Sequence, residues 1–256
     1  MAFRNQVSSF IQSIPDDLWQ IPPMNQLTWL KYFKDLKSDH GFLSWLVAHF
    51  NPNTMVFRFE DSEVTSTSEE MCAMMGHRPE QDETPACPQA LDPSWIQACC
   101  FLLLNVYAMK NRQPGIGDFQ LLTAVRDMQL YHRTVFMMIM GETMCWVRDI
   151  ALHIANFNVH HRGCLMLLQA WALNKLSLIL PVPAHLIPTY GPANFRSRSR
   201  GHFDFGDNST IRWTCPWWRI RLVTTGSMNL NYVLYSSLDR SMAYFPDRIS
   251  RQYGMI

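Results

Sequence analysis

The residues best suited to binding a charged ligand are arginines in the last third of the chain. No Lys follows position 190, and the segment 195–200 alternates arginine with serine. A guanidinium makes bidentate contacts with phosphate, and aromatic rings can stack on bases. The candidate interaction residues are therefore Arg196, Arg198, Arg200, Trp217, Trp218, Arg248 and Arg251. Direct nucleic-acid binding is one interpretation; a solvated loop beside core aromatics is the other, and three arginines in this segment favour the loop.

The tail, residues 245–254, offers a second use for arginine. Pro246 begins a predicted helix, because its missing N–H and fixed φ suit a first helical position. Arg248 and Arg251 then lie three residues apart on one face. They could clamp a phosphate or close the domain as an internal latch by pairing with Glu69 or Glu70. The formal net charge of +1 favours the latch.

The usual motifs of catalysis are missing from the sequence. Gly115 and Gly117 lack the third glycine of a dinucleotide-binding loop, and no Gly-x-Ser-x-Gly elbow occurs. Acidic residues at helical positions could do acid–base chemistry, but nothing distinguishes them from ordinary surface charges; they are Asp127, Glu142 and Asp149. We therefore predict a protein that is not an enzyme and binds no cofactor.

Metal ligation is not predicted either. Cys99 and Cys100 are adjacent, so on a helix they point about 100° apart and rarely share an ion. His153 and His160 are two helical turns apart and could share a face, but no acidic residue completes a known spacing. Surface and capping roles are the preferred interpretation of these histidines.

Composition indicates one globular domain with a substantial core. The chain has 256 residues, 48% of them hydrophobic and only 17% charged. That low charge suggests a surface that meets a partner. The seven cysteines are odd in number and sit largely in apolar runs, which is typical of reduced, buried thiols. No apolar stretch reaches the roughly 18 uncharged residues of a membrane span, so we expect a soluble intracellular protein.

Periodicity predicts mainly α structure, an α+β fold with a small N-terminal β-hairpin and short C-terminal strand elements. The hairpin pairs residues 55–59 with 63–65, and Thr67 stands three residues before Glu70 in the spacing of a capping box. Asp118 is a predicted N-cap. Helices are predicted over residues 25–37, 42–50, 94–110, 118–130, 132–144, 146–157 and 163–178, and a strand over 230–235. The helix from Gly163 is apolar nearly all round, which places it at the centre of the domain.

Three segments in order resemble the plant mobile domain, a family often labelled aminotransferase-like. The first runs from Phe42-Leu-Ser-Trp-Leu through Phe57-Arg-Phe to Met74-Met-Gly. The second is Gly163-Cys-Leu-Met-Leu-Leu-Gln-Ala-Trp, similar to the family's central helix. The third is Tyr244-Phe-Pro-Asp-Arg with Arg251-Gln-Tyr-Gly, similar to its closing motif.

The resemblance implies a nuclear protein linked to transposable elements or their silencing. Its implied partner is a long form of the plant serine/threonine phosphatase 7 type. The aminotransferase label has no support in the residues, because Lys110 and Lys175 lie in helical stretches without a pyridoxal phosphate site.

The predicted organisation is an N-terminal extension over residues 1–24 and a helical domain over 25–256. A long irregular loop covers residues 181–216 within that domain, since it contains five prolines and three glycines. The predicted function is a non-enzymatic, nuclear protein-interaction domain. The alternative is a nucleic-acid-binding protein encoded by, or derived from, a plant transposon.

Overall fold

The computed structural model describes most of the predicted helical core. The described residues are 9–20, 24–30, 38–59, 62–66, 70, 93–109, 118–127, 134–156, 162–176, 233–236 and 241–244. The predicted loop over 181–216 and the tail lie outside them.

Helices dominate this part of the chain, which confirms the mainly helical prediction. The α-helices are α1 (His40–Ala48), α2 (Pro93–Leu103), α3 (Leu121–Asp127), α4 (Thr134–Ala151) and α5 (Leu165–Lys175). Short 3-10 turns cover Leu18–Gln20 and Met24–Leu27, and a π-helical segment over Leu104–Ala108 continues α2. The strands are β1 (Phe50–Asn51), β2 (Val56–Phe59), β3 (Ser62–Val64), β4 (Val233–Ser236) and β5 (Ser241–Tyr244).

Helix α5 occupies the centre of the core, as its sequence predicts. All eleven of its residues are buried, including Gln169, Asn174 and Lys175. Each large apolar side chain removed from water contributes about 1.5–3 kcal/mol, so a helix buried all round is a strong source of stability. The cost is that its polar side chains must find partners inside the protein.

Those polar groups connect α5 to the elements around it. The Gln169 Oε1 atom accepts a 2.7 Å hydrogen bond from the backbone amide of Asp39, the N-cap of α1. The Asp39 carboxylate in turn accepts from the Phe42 amide at 3.0 Å. Because Gln169 holds the N-cap in place, the first turn of α1 is fixed relative to the central helix.

A glycine sets the close approach of α4 and α5. Gly163 has a φ of +72°, and a Cβ there would lie only 2.4 Å from the Cα of Thr143. The Thr143 hydroxyl donates to the Ile139 carbonyl at 2.6 Å and accepts from the Cys164 amide at 2.8 Å. The beginning of α5 is thereby fixed to the middle of α4.

The predicted hairpin forms and gains a strand that the sequence did not indicate. β1, β2 and β3 make an antiparallel sheet in which Phe50 pairs with Phe57, and Phe57 with Val64. Phe50 was predicted to be the last residue of a helix, but α1 ends at Ala48. The buried rings of Phe50 and Phe57 pack against each other there in a tilted arrangement, with their centroids 4.9 Å apart, which holds β1 against β2.

A cluster of rings holds the end of α1 to the sheet. The His49 ring lies 4.5 Å from that of Trp45 and 5.3 Å from that of Phe59. His49 Nδ1 lies 2.8 Å from the Trp45 carbonyl oxygen, which can only accept, so Nδ1 carries the proton. These contacts orient the last turn of α1, which forms one wall of the groove described below.

The two helices predicted over residues 132–144 and 146–157 are a single helix, α4. It runs without a break from Thr134 to Ala151, so the expected break near residue 145 is wrong. It contacts α1, α3, β1 and both C-terminal strands. The same surroundings correct the view of Glu142 and Asp149 as surface charges. Both are buried, and both have interaction partners. The side chain of Asp127 lies outside the described residues.

Part of the segment predicted as an N-terminal extension contributes to the same core. Ile11, Ile14 and Trp19 are buried in the cluster that contains α5. The described thiols also agree with the prediction of reduced, buried cysteines, because Cys99, Cys100, Cys145 and Cys164 are buried and form no disulfide within the described part of the chain.

We expect Gly163→Ala to destabilise the protein by about 2–5 kcal/mol, from the left-handed backbone and the clash with Thr143. Urea unfolding followed by circular dichroism measures the change. Gly41→Ala is the matched control. Its Cβ would meet only Asp39 Oδ1 at 3.4 Å, so it should be neutral or slightly stabilising. Equal effects at both positions would contradict this account.

Cys100 predicts a pH dependence. Burial, and then the neighbouring Cys99, raise the pKa of the Cys100 thiol from 9.0 to about 12. Above pH 9.0 the unfolded chain loses this proton while the folded chain keeps it, so folding stability should fall between those two values. In urea titrations, Cys100→Ala should lose less stability over this range than the unsubstituted protein. Parallel losses would contradict the assignment.

Candidate functional site

The structure contains a concave surface between the ends of two helices. One wall is the side of α1 that carries Ser44, Val47 and Ala48, of which Val47 is buried, and the other is the end of α4 with the turn that follows it. The groove encloses about 750 Å³ and is lined by Ser44, Val47, Ala48, Phe50, Ile150, Ala151, His153, Ile154, Ala155 and Asn156. We call it the Ile154 groove. Its lining combines small, apolar and polar side chains.

The turn after α4 determines the shape of this groove. His153 has a φ of +58°, its amide donates to the Ile150 carbonyl at 3.0 Å, and the Ile154 amide donates to the Asp149 carbonyl at 2.9 Å. These two bonds define a Schellman ending, in which glycine normally takes the position of His153. The apolar residue that follows usually packs back on the helix, but Ile154 is 71% exposed. The motif therefore presents an isoleucine to solvent.

This ending also settles the role of His153. The sequence allowed His153 and His160 to share a helical face, which would need α4 to continue, but α4 ends at Ala151. His153 instead has the capping role that was the preferred interpretation, and His160 lies outside the described residues. Among the residues that are described, no group of three or more His, Cys, Asp or Glu could hold a metal ion.

A second polar arrangement lies inside the core. The Lys175 ammonium contacts Glu70 Oε1 at 2.5 Å, and the Trp171 indole N–H donates to Glu70 Oε2 at 2.8 Å. Lys175 and Trp171 are four residues apart on α5, so both face the same carboxylate. The Lys175 and Glu70 side chains are only 3% and 8% exposed. Their geometry suits an anchor, since a reactant would have to displace packed side chains to reach them.

The anchor bears on two predictions made from the sequence. Glu70 was predicted to complete a capping box with Thr67 or to pair with Arg248 and Arg251. Within the described part of the chain its carboxylate is bound by α5 instead. Thr67 and the two arginines lie outside the described residues, so the capping box and the latch stay predictions.

The other predicted interaction residues also lie outside the described part of the chain. These are Arg196, Arg198, Arg200, Trp217 and Trp218. The Asp118 carboxylate, predicted to be an N-cap, accepts from the Gln120 amide at 3.0 Å in the turn that leads into α3, which begins at Leu121. Sequence reasoning missed the Ile154 groove entirely. The signal for the buried anchor was the i, i+4 pair of Trp171 and Lys175 on an otherwise apolar helix.

Comparison with known proteins adds no identity to these sites. No protein-family model, no curated protein and no solved structure matches the chain. Among the described helices, none is long and apolar enough to cross a membrane.

The buried anchor predicts strong coupling between its two charges. Lys175→Met should cost about 3–5 kcal/mol, because it removes the ammonium group that contacts the buried Glu70 carboxylate. The double variant Glu70→Gln/Lys175→Met keeps an acceptor for the Trp171 indole and should cost less than the sum of its single variants. Urea unfolding of all four proteins measures the coupling. Additive effects would show that the two side chains do not act as a pair.

Proposed function

We propose that this chain is a non-enzymatic protein-interaction domain of the plant mobile domain type, acting in the nucleus in the silencing of transposable elements. The three ordered segments that resemble the family support the assignment to this type. The observation that carries the interaction role is the Ile154 groove, an open concave surface lined by both apolar and polar residues, with an isoleucine exposed at its edge.

The groove has properties that suit a protein partner. Interface hot spots are side chains that fill well-packed pockets and exclude water. Val47, Phe50 and Ile150 supply apolar walls, while Ala48 and Ala151 leave space for an incoming side chain. α1 and α4 are both anchored to the core, so little conformational entropy is lost when a partner binds.

The proposed partner is a long-form serine/threonine phosphatase of the plant phosphatase 7 type, which is the partner that the resemblance implies. An exposed apolar side chain or short segment of that protein would enter the groove. The lining supplies few charged groups, with His153 its one titratable residue, so binding should depend weakly on salt.

Isothermal titration calorimetry of the 256-residue chain with the purified phosphatase tests this proposal. Ile154→Glu introduces a charge at the edge of the groove and should weaken binding by about tenfold or more. Leu152→Glu is the matched control, because Leu152 is an exposed leucine that does not line the groove. It should bind like the unsubstituted chain.

The outcomes separate the two functions considered. No heat of binding with the phosphatase would overturn the proposed partner, and equal weakening by both variants would overturn the site. The alternative function is nucleic-acid binding through the predicted arginines. It would appear as binding to a DNA or RNA duplex that falls steeply with salt and is unaffected by Ile154→Glu.

A further inference from the structure

A second apolar surface lies on α2 and the residues that lead into α3. Its exposed large side chains are Trp95 at 40%, Leu102 at 37%, Phe119 at 76% and Leu122 at 50%. Ala98, between Trp95 and Leu102, is also exposed. We call these five residues the Phe119 surface. None of them lines the Ile154 groove.

Two of these side chains share one side of α2, and a ring contact joins α2 to the residues that lead into α3. Trp95 and Leu102 are seven residues apart, two helical turns, so they lie on the same side of α2. The Phe119 ring stacks on Phe101, the neighbour of Leu102, with centroids 6.4 Å apart. Leu122 follows Phe119 by three residues and lies in α3.

The position of Phe119 is fixed by the buried side chain of Asn105. Asn105 lies in the π-helical segment, and its Oδ1 atom accepts a 2.7 Å hydrogen bond from the Asp118 amide. Its amide group donates to the Phe101 carbonyl at 3.3 Å. The backbone just before Phe119 is therefore fixed to the core, although the Phe119 ring is largely exposed. A positioned, exposed aromatic ring is typical of an interface anchor.

We propose that the Phe119 surface binds the same surface of a second copy of this chain, forming a two-fold symmetric dimer. A two-fold contact requires a face that is complementary to itself. α2 contains no charged residue, so two copies meet there without like-charge repulsion. A formal net charge of +1 adds little long-range repulsion.

The spacing along α2 fits this symmetry. Ala98 stands three residues after Trp95 and four before Leu102. When two antiparallel α2 helices cross at Ala98, Trp95 of one copy meets Leu102 of the other, and the reverse. The small side chain at the crossing point lets the two helices approach closely.

The exposed area also fits a dimer. If each complete large side chain has about 150–250 Å² of surface, the exposed fractions of the four large side chains add up to roughly 400 Å² of apolar surface. A standard interface buries about 800 Å² per partner, of which about 57% is apolar. The Phe119 surface thus holds close to the apolar area that one side of such an interface contains.

Sedimentation velocity of the 256-residue chain, measured over a wide range of protein concentrations, tests the proposal. The unsubstituted protein should pass from monomer to dimer as concentration rises. Phe119→Ser removes an anchor twice in each dimer and should weaken association by on the order of a hundredfold. Leu152→Ser changes an exposed apolar residue outside both proposed surfaces, so it is the control and should associate as the unsubstituted chain does.

A charge exchange at Ala98 tests the symmetry itself. Ala98→Glu and Ala98→Lys should each be monomeric, because like charges meet at the crossing point. An equal mixture of the two variants should form a mixed dimer, which rules out loss of folding as the cause. A monomer at every concentration, or undiminished dimers of Phe119→Ser and Ala98→Glu, would overturn the proposal. Phosphatase binding at the Ile154 groove is measured separately, so either proposal can fail alone.

Discussion

A helix buried on all sides is the constraint on which the described structure depends. α5 contributes a large share of the apolar core, but it carries polar groups into a region without water. Each must therefore be matched by a group from another element. Gln169 takes the amide that begins α1, and Lys175 and Trp171 take the carboxylate of Glu70. The bonds that remove the cost of burial are also those that arrange the neighbouring elements.

This arrangement explains how both surfaces can be rigid without being buried. α1 begins at the N-cap that Gln169 holds, and one side of α1 forms one wall of the Ile154 groove. α4 is joined to α5 through Thr143 and Gly163, and its end forms the other wall. On the second surface, Asn105 binds the Asp118 amide just before Phe119, as Gln169 binds the Asp39 amide just before α1. In each case a buried amide side chain fixes a backbone amide that precedes one of the two surfaces.

A division of roles between charged and apolar residues follows. Glu70 and Lys175 are buried and paired with each other, so their charges stabilise the core. The two surfaces proposed to bind partners differ in chemistry. A concave groove with a mixed lining suits a protruding segment of a different protein, whereas a helical face without charges suits its own copy. The proposed dimer and the proposed phosphatase complex therefore use different surfaces.

The sequence by itself determined what depends on local pattern and composition. The apolar run from Leu165 indicated the central helix, alternation indicated the strand at Val56–Phe59, and Asp118 indicated a helix start. Only the tertiary structure decided which distant groups meet. Glu70 and Lys175 are 105 positions apart, and no periodicity relates them. The burial of Glu142 likewise depends on the elements around α4 rather than on its own residues. Local patterns record which face of an element is apolar, but the partner of a polar group depends on how elements pack.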